Sequence, residues 1–270
     1  MPLPCSGRQL NALGQRLAEA EPSDADVTLF AQVLDVYQAV LDRVEERLAE
    51  LGFQATTRVK TTGTLVDKLR RDCTLKLKSI HDLAGARIVI DGTRHDQDVA
   101  RDRIVDAFAA CSKPPIVKDR RQAPSHGYRA VHVIVFPEDI PVEIQIRTVP
   151  QDRWAQAAES LGDSWGRGLR YGEGPDEPNS VAGSPFAPSL TRAQVVEKWT
   201  QVSDLIARME QLDLDISDVQ KLTRSGVVVE AGVLADLQRR LDESRVAGQA
   251  VVAELGYGHV WSQTVNEEQP

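Results

Sequence analysis

Val142 to Thr148 reads Val, Glu, Ile, Gln, Ile, Arg, Thr, a strict alternation of apolar and polar positions. That period predicts a strand with Val142, Ile144 and Ile146 on a core face. Glu143, Gln145 and Arg147 then share the other face. A carboxylate, an amide and a guanidinium in one row make a polar floor suited to metal and phosphate. Tyr128–Phe136 predicts a partner strand, joined to the first by a turn holding Pro137 and Pro141. Shorter strands are expected at Ala86–Ile90 and Ile116–Lys118.

Helical spacing dominates elsewhere. Ser23 with Asp26 has capping-box spacing, and Val27, Phe30, Leu34, Tyr37, Leu41, Val44, Leu48 and Leu51 follow at intervals of three and four. Gly52 is placed to end that helix. Thr64 is expected to cap a short helix over 65–72. Further helices are expected over 95–110 and 150–161. Tyr171–Ser189 is rich in Gly, Pro and Ser and reads as a linker. Thr191 with Gln194 opens another amphipathic helix through Val195, Trp199, Val202, Ile206 and Met209. After a break near Gly226, a last helix covers about 230–255, and 265–270 reads as disordered. The order of elements predicts an α+β fold, with helices flanking a mixed sheet and a helical C-terminal extension. The expected organisation is an N-terminal helical segment (1–57), a catalytic domain (58–172), a linker (173–190) and the extension (191–270). The extension's expected role is packing on the main domain or self-association into a homo-oligomer.

Charge narrows the ligand. The 270 residues carry a formal charge of −8, which argues against a general nucleic-acid coat. Yet 58–78 holds seven basic residues against two acids, so a local anionic ligand is expected. Cys5, Cys73 and Cys111 are too scattered for a zinc site or a disulfide framework. No apolar run approaches a membrane span, and 1–10 lacks the blocks of a signal peptide. A cytoplasmic setting, with no membrane partner, is the expectation.

Four clusters carry candidate chemistry. Arg58, Lys60, Thr64 and Lys68 form a basic group around an expected helix N-terminus, where anions are favoured. Asp82, Gly85 and Arg87 precede and enter a strand, with Gly85 permitting a tight approach. Lys118 to His132 is a basic loop leading into a strand, on which Tyr128, Ala130 and His132 share one face. An aromatic ring beside such a loop is a platform for a nucleobase. Taken singly, Tyr128 also reads as a half-buried strand residue and His132 as a hydrogen-bonded core histidine. The fourth cluster is the Glu143, Gln145, Arg147 face. Asp82 and Glu143 on neighbouring strands could share Mg²⁺. His81-Asp82 and His95-Asp96 imitate a metal-dependent phosphohydrolase pair, but the chain's five histidines provide no supporting ligand pattern.

In this order the clusters resemble the synthetase domain of the RelA/SpoT family, the (p)ppGpp synthetases. The family patterns are R-x-K-x-x-x-S-x-x-x-K, D-x-x-G-x-R, K-D-Y-I-x-x-P-K-x-N-G-Y-x-S-x-H and V-E-I-Q-I-R-T. The resemblance runs from about Arg58 to Leu161. It implies a nucleotidyltransferase-like mixed sheet and transfer of the β,γ-pyrophosphate of ATP to the 3′-hydroxyl of GDP or GTP, with release of AMP. It implies that Asp82 and Glu143 hold Mg²⁺, and that Glu143 helps activate the attacking hydroxyl. Arg58, Lys60, Thr64 and Lys68 would bind ATP phosphates, with Arg87 stacking on adenine. Tyr128 would stack on guanine, with Lys118, His132 and Gln145 completing the acceptor side.

The departures cluster in the acceptor loop. Arg120 replaces Tyr, Ser125 replaces Lys, His126 replaces Asn and Ala130 replaces Ser. Arg120 or Arg121 is the candidate substitute for the missing lysine. Two other readings follow: a toxin-type relative that pyrophosphorylates the 3′ end of tRNA, and a nucleotide-binding regulator on a decayed site.

Overall fold

The computed structural model describes residues 2–19, 22–71, 74–166, 168, 172 and 190–256. Side chains of 62, 64, 67, 71, 164, 165 and 192 lie outside that description, as do the expected linker over 173–189 and the tail over 265–270. The chain forms α1 (Gly7–Glu19), α2 (Asp24–Glu50), β1 (Ala55–Val59), α3 (Thr62–Arg71), β2 (Ala84–Ile90), α4 (Arg94–Ala107), β3 (Ile116–Asp119), β4 (Val131–Val135), β5 (Val142–Thr148), α5 (Val149–Trp165), α6 (Arg192–Arg224) and α7 (Val233–Glu254). This is the expected α+β architecture: helices flank a five-stranded mixed sheet of order β1-β2-β5-β4-β3. The chain divides into two compact units.

The first unit comprises 1–89, 99–118 and 131–146, and it holds most of the sheet. Helix α2 starts as expected, with the Ser23 hydroxyl accepting from the Asp26 amide. At its end Gly52 takes φ 82°, and the Phe53 amide reaches back to the Leu48 carbonyl, a Schellman closure. Its buried stripe is Phe30, Val33, Tyr37, Val40, Leu41, Val44 and Leu48, whereas Val27 is exposed. Helix α1 lies in the expected N-terminal helical segment, although no separate helix was expected there. Its signal was present: Ser6 and Gln9 form a reciprocal cap, and Leu10, Leu13 and Leu17 are buried at helical spacing. Helix α1 packs on α3, and Gly14 sits so close to Leu77 that an added Cβ would lie 2.8 Å from the leucine Cβ.

Two strand pairings place the polar residues. In the antiparallel β1–β2 pair, Arg58 lies opposite Gly85 and Thr56 opposite Arg87. In the antiparallel β4–β5 pair, His132 lies opposite Gln145 and Ile134 opposite Glu143. Directly opposed residues share a face. Arg58 and Arg87 are therefore diagonal neighbours on one face, and His132, Glu143 and Gln145 are neighbours on one face. Strand β4 is buried along its whole length.

The second unit comprises 90–98, 119–130 and 147–270. Helix α5 opens with a full capping box from Thr148 and Gln151, and α6 with one from Thr191 and Gln194, as expected for α6. Helices α5, α6 and α7 share an apolar cluster that includes Trp154, Trp199, Val202, Ile206, Leu237 and Val252. Trp154 and Trp199 stack with ring centroids 5.6 Å apart.

Candidate active site

Asp82 sits in the turn before β2, where the Lys60 amide bonds to the Leu83 carbonyl and prolongs the β1–β2 ladder. That bond sets Lys60 beside the turn. The Lys60 ammonium donates to Asp82 Oδ2 at 2.5 Å, and the Lys68 ammonium, from α3, reaches Oδ1 at 2.9 Å and Oδ2 at 3.0 Å. Burial raises the proton affinity of Asp82, but the two lysines outweigh it and hold the carboxyl below its ordinary range. For Lys60 the balance runs the other way. Burial wins over the attraction of Asp82, and the charges of Lys68 and Arg58 push in the same direction, so its proton is held less tightly than usual. Lys60 and Lys68 thus share a single carboxylate, with Arg58 near enough for its charge to act on Lys60.

Glu143 lies on β5 with little side-chain exposure, 13%. His132 Nδ1 is 2.9 Å from Glu143 Oε1, and the Gln145 amide donates to Oε2 at 3.2 Å. A ring nitrogen facing a carboxylate oxygen carries the proton and donates it. Burial again favours the neutral acid, but these two donors and the His132 charge hold Glu143 below its ordinary value. The negative charge of Asp82 works against that lowering, so the two acids lie within electrostatic reach of each other.

Reasoning from sequence missed one participant. His81 was discounted with the phosphohydrolase pattern, yet its ring responds to the charges of Asp82, Glu143 and Lys118 together. Burial is the main reason its pKa is lowered, and its ring meets Phe136 edge-on at a centroid distance of 6.0 Å. Its adjacency to Asp82 was the available signal.

The structure therefore brings Arg58, Lys60, Lys68, Asp82, Lys118, His132, Glu143 and Gln145 into one unit and couples them. Arg87 shares the β1–β2 face with Arg58. Four expectations change. Thr64 does not precede its helix; α3 begins at Thr62, and the Leu65 amide bonds to the Thr61 carbonyl. The Thr64 side chain lies outside the described residues. Tyr128 and Ala130 are not on β4 with His132, because His126 (φ 51°) and Gly127 (φ 85°) make a tight left-handed turn that delays the strand to Val131. The Tyr128 amide closes that turn on the Ser125 carbonyl at 2.9 Å. The loop is also one residue shorter than the family pattern, between the positions of Ser125 and His126. Gly85 provides ordinary room only, since a Cβ there would lie 3.5 Å from the nearest backbone atom, the Glu143 carbonyl oxygen.

The fourth change concerns arginines. Arg147 is buried and does not extend the polar floor: it donates to Asp152 at 2.9 Å and to the Tyr128 hydroxyl at 3.1 Å, with its guanidinium 5.1 Å from the Tyr128 ring centre. Tyr128, in the second unit, is thus braced from one side by a cation. Arg121 is only 7% exposed and is committed to Asp119, Asp98 and Gln97. It is not free to replace the missing lysine, which leaves Arg120.

Two carboxylates within electrostatic reach suit a hard cation. Among the described residues no group of three or more His, Cys, Asp or Glu is placed to hold a metal ion. That donor set fits Mg²⁺, which takes one or two carboxylates and fills its octahedron with phosphate oxygens and water. No helix among the described residues is long and apolar enough to cross a membrane.

Known proteins resemble this chain in sequence and in fold. Residues 57–162 match the family described as "Region found in RelA / SpoT proteins". The chain is 39% identical over 179 residues to uncharacterized proteins of Mycobacterium tuberculosis and Mycobacterium bovis, covering 64% of this chain and 65% of theirs. The match therefore spans just under two thirds of those relatives. The GTP pyrophosphokinase YwaC of Bacillus subtilis is 34% identical over 129 residues, covering 39% of this chain and 55% of that protein. Crystal structures of the small alarmone synthetase 1 from Bacillus subtilis share the fold. The structure reported without a named ligand gives a TM-score of 0.51, and the one bound to its product pppGpp gives 0.53, each at 19% identity and over 73% of this chain. They are covered to 98% and 99% of their own lengths.

Proposed function

We propose that the RelA/SpoT-type region at residues 57–162 makes this protein an ATP-dependent pyrophosphotransferase acting on a guanine nucleotide. The observation that carries this reading is the pair Asp82 and Glu143, both held ionised and electrostatically coupled beside the Arg58, Lys60 and Lys68 cluster. In the reaction the 3′-oxygen of GDP or GTP attacks the β-phosphorus of ATP. A new O–P bond forms, the bond between the α,β-bridging oxygen and the β-phosphorus breaks, and AMP leaves.

Each residue has a physical task. Arg58, Lys60 and Lys68 neutralise the triphosphate, and a phosphate oxygen offers the lysines a partner in exchange for Asp82. Arg87 stacks on adenine. With its lysines engaged by phosphate, Asp82 would hold Mg²⁺ together with Glu143. Bound Mg²⁺ supplies the charge that offsets the phosphates during transfer. Glu143, fixed by His132 and Gln145, accepts the hydrogen bond of the attacking hydroxyl and orients it. Tyr128 offers its ring to guanine, and Lys118 provides positive charge on the acceptor side.

A second reading keeps the donor chemistry and changes the acceptor to the 3′ end of tRNA. It is favoured by Ser125 standing where the family has lysine and by the commitment of Arg121 to Asp98 and Asp119. One experiment separates the readings. Protein incubated with Mg²⁺ and ATP labelled in the β or γ position is offered GMP, GDP, GTP and tRNA separately. Label in a guanine nucleotide, with AMP released, supports the first reading; label in tRNA alone supports the second. No transfer to any acceptor, by protein of intact fold, removes both.

A further inference from the structure

The role of the C-terminal extension is open on the sequence, and the acceptor loop is where this chain departs most from its family pattern. The structure joins the two problems. Within the second unit, α6 holds the loop 119–130 at successive points. The Ser203 hydroxyl donates to the Gly127 carbonyl. The same hydroxyl accepts from Arg129 Nε at 3.1 Å. The Arg129 guanidinium also donates to Asp204 and, folding back over the loop, to the Arg121 carbonyl.

Packing makes the fit close. Gly127 has φ 85°, and an added Cβ would lie 2.8 Å from Trp154 and 3.4 Å from the Ser203 Cβ. Trp154 is itself anchored to α6, stacking on Trp199 and donating to its carbonyl at 3.2 Å. Tyr128 packs on the cluster to which these residues belong. The turn that carries Tyr128 is therefore gripped at the residues on both sides of it, Gly127 and Arg129, by consecutive residues of one helix. Within the loop the His126–Gly127 turn is closed by the Tyr128 amide on the Ser125 carbonyl, and the bonds from α6 add a hold from outside the loop at the turn itself.

We propose that α6 is a positioning element for the acceptor: Ser203 and Asp204 lock the loop 119–130 so that the Tyr128 ring is held ready for the acceptor base. The functional half of this rests on the synthetase reading above; the clamp itself does not. Ser203 is almost fully buried, and Asp204 is largely exposed. Ser203→Ala removes one oxygen and leaves the packing, so it tests the clamp without emptying the core.

The experiment compares the full-length protein with Ser203→Ala and with Ser203→Ala/Asp204→Ala. Hydrogen exchange of the loop is followed by mass spectrometry, and KM is measured for GDP and for ATP. Thermal unfolding checks that the variants are folded. The expected result is faster exchange confined to the loop. It comes with a rise of about tenfold in KM for GDP, the effect of losing a buried hydrogen-bond pair, and an ATP KM within about twofold. The double variant is affected more than the single one. Unchanged loop exchange in folded variants overturns the clamp. Faster exchange with an unchanged KM for GDP, or with equal shifts for both substrates, overturns its role in acceptor positioning. If the unaltered protein transfers to no guanine nucleotide, the synthetase reading falls and the acceptor role with it, while loop exchange still decides whether the clamp exists.

Discussion

Glu143 keeps a charge where burial opposes one, because His132 and Gln145 each spend a donor on it. Replacing it with Gln preserves shape and removes the charge. We expect Glu143→Gln to lower kcat by about 10²–10⁴, the usual weight of a positioned acid–base group, with far-UV circular dichroism unchanged. Lys68 has a different task. Its partner Asp82 retains Lys60 when Lys68 is lost, so the fold tolerates the change. Lys68→Ala is expected to raise KM for ATP about tenfold and to move KM for the acceptor little, in steady-state assays that vary each substrate in turn. Asp82, Glu143, Lys60 and Lys68 were all legible in the sequence, since each occupies a fixed place in an ordered pattern. Arg147 was misread because alternation gives the side of a strand and not what covers it. In the fold, Asp152 and Tyr128 claim that guanidinium. Arg121, offered alongside Arg120 as the substitute for the missing lysine, is claimed by Asp98 and Asp119, which the loop's sequence does not reveal.

Elements are held to one another by polar groups that the helical period does not reveal. Glu210 on α6 is buried and accepts from the Thr148 hydroxyl and the Gln151 amide, the two residues that cap α5. Burial raises its proton affinity, although these bonds and the charges of Arg94 and Arg121 act to lower it. A carboxyl whose folded pKa is raised adds stability below its unfolded pKa, and that contribution is lost as pH rises through the folded value. Glu210→Gln should therefore flatten the decline in stability as pH climbs above the ordinary glutamate range. Urea midpoints at a series of pH values measure this; an unaltered slope would mean that Glu210 is not the group responsible. The helices themselves were largely predictable. The Ser23 cap of α2, the capping box of α6 and the glycine closures after both were written locally, in residues three to five apart. The start of β4 was not, because Tyr128 and Ala130 have strand-like side chains while the turn at His126 and Gly127 controls their backbone.

At the scale of the whole chain, the extension is an integral part of the second unit. Trp154, Ala155 and Leu161 of α5 are buried in a cluster completed by α6 and α7. Removing residues 191–270 would expose that face. We expect the shortened chain to aggregate or to lose its cooperative unfolding transition, measured as soluble yield and by calorimetry. A soluble, cooperatively folded product would show that α5 is stable without α6.

The sequence by itself determined most of the secondary structure and pointed to the chemistry proposed above. Both depend on short-range rules: alternation along a strand, three-and-four spacing along a helix, and the order of acids and bases in a phosphate-handling pattern. The tertiary structure alone decided which polar residues remain available. Asp82 draws its lysines from β1's end and from α3, Arg121 and Arg147 are consumed by partners within the second unit, and the loop 119–130 is fastened by a helix that begins some sixty residues later in the chain. A charge is committed by whatever lies within a few ångströms of it in space, and no periodicity along the chain records that distance.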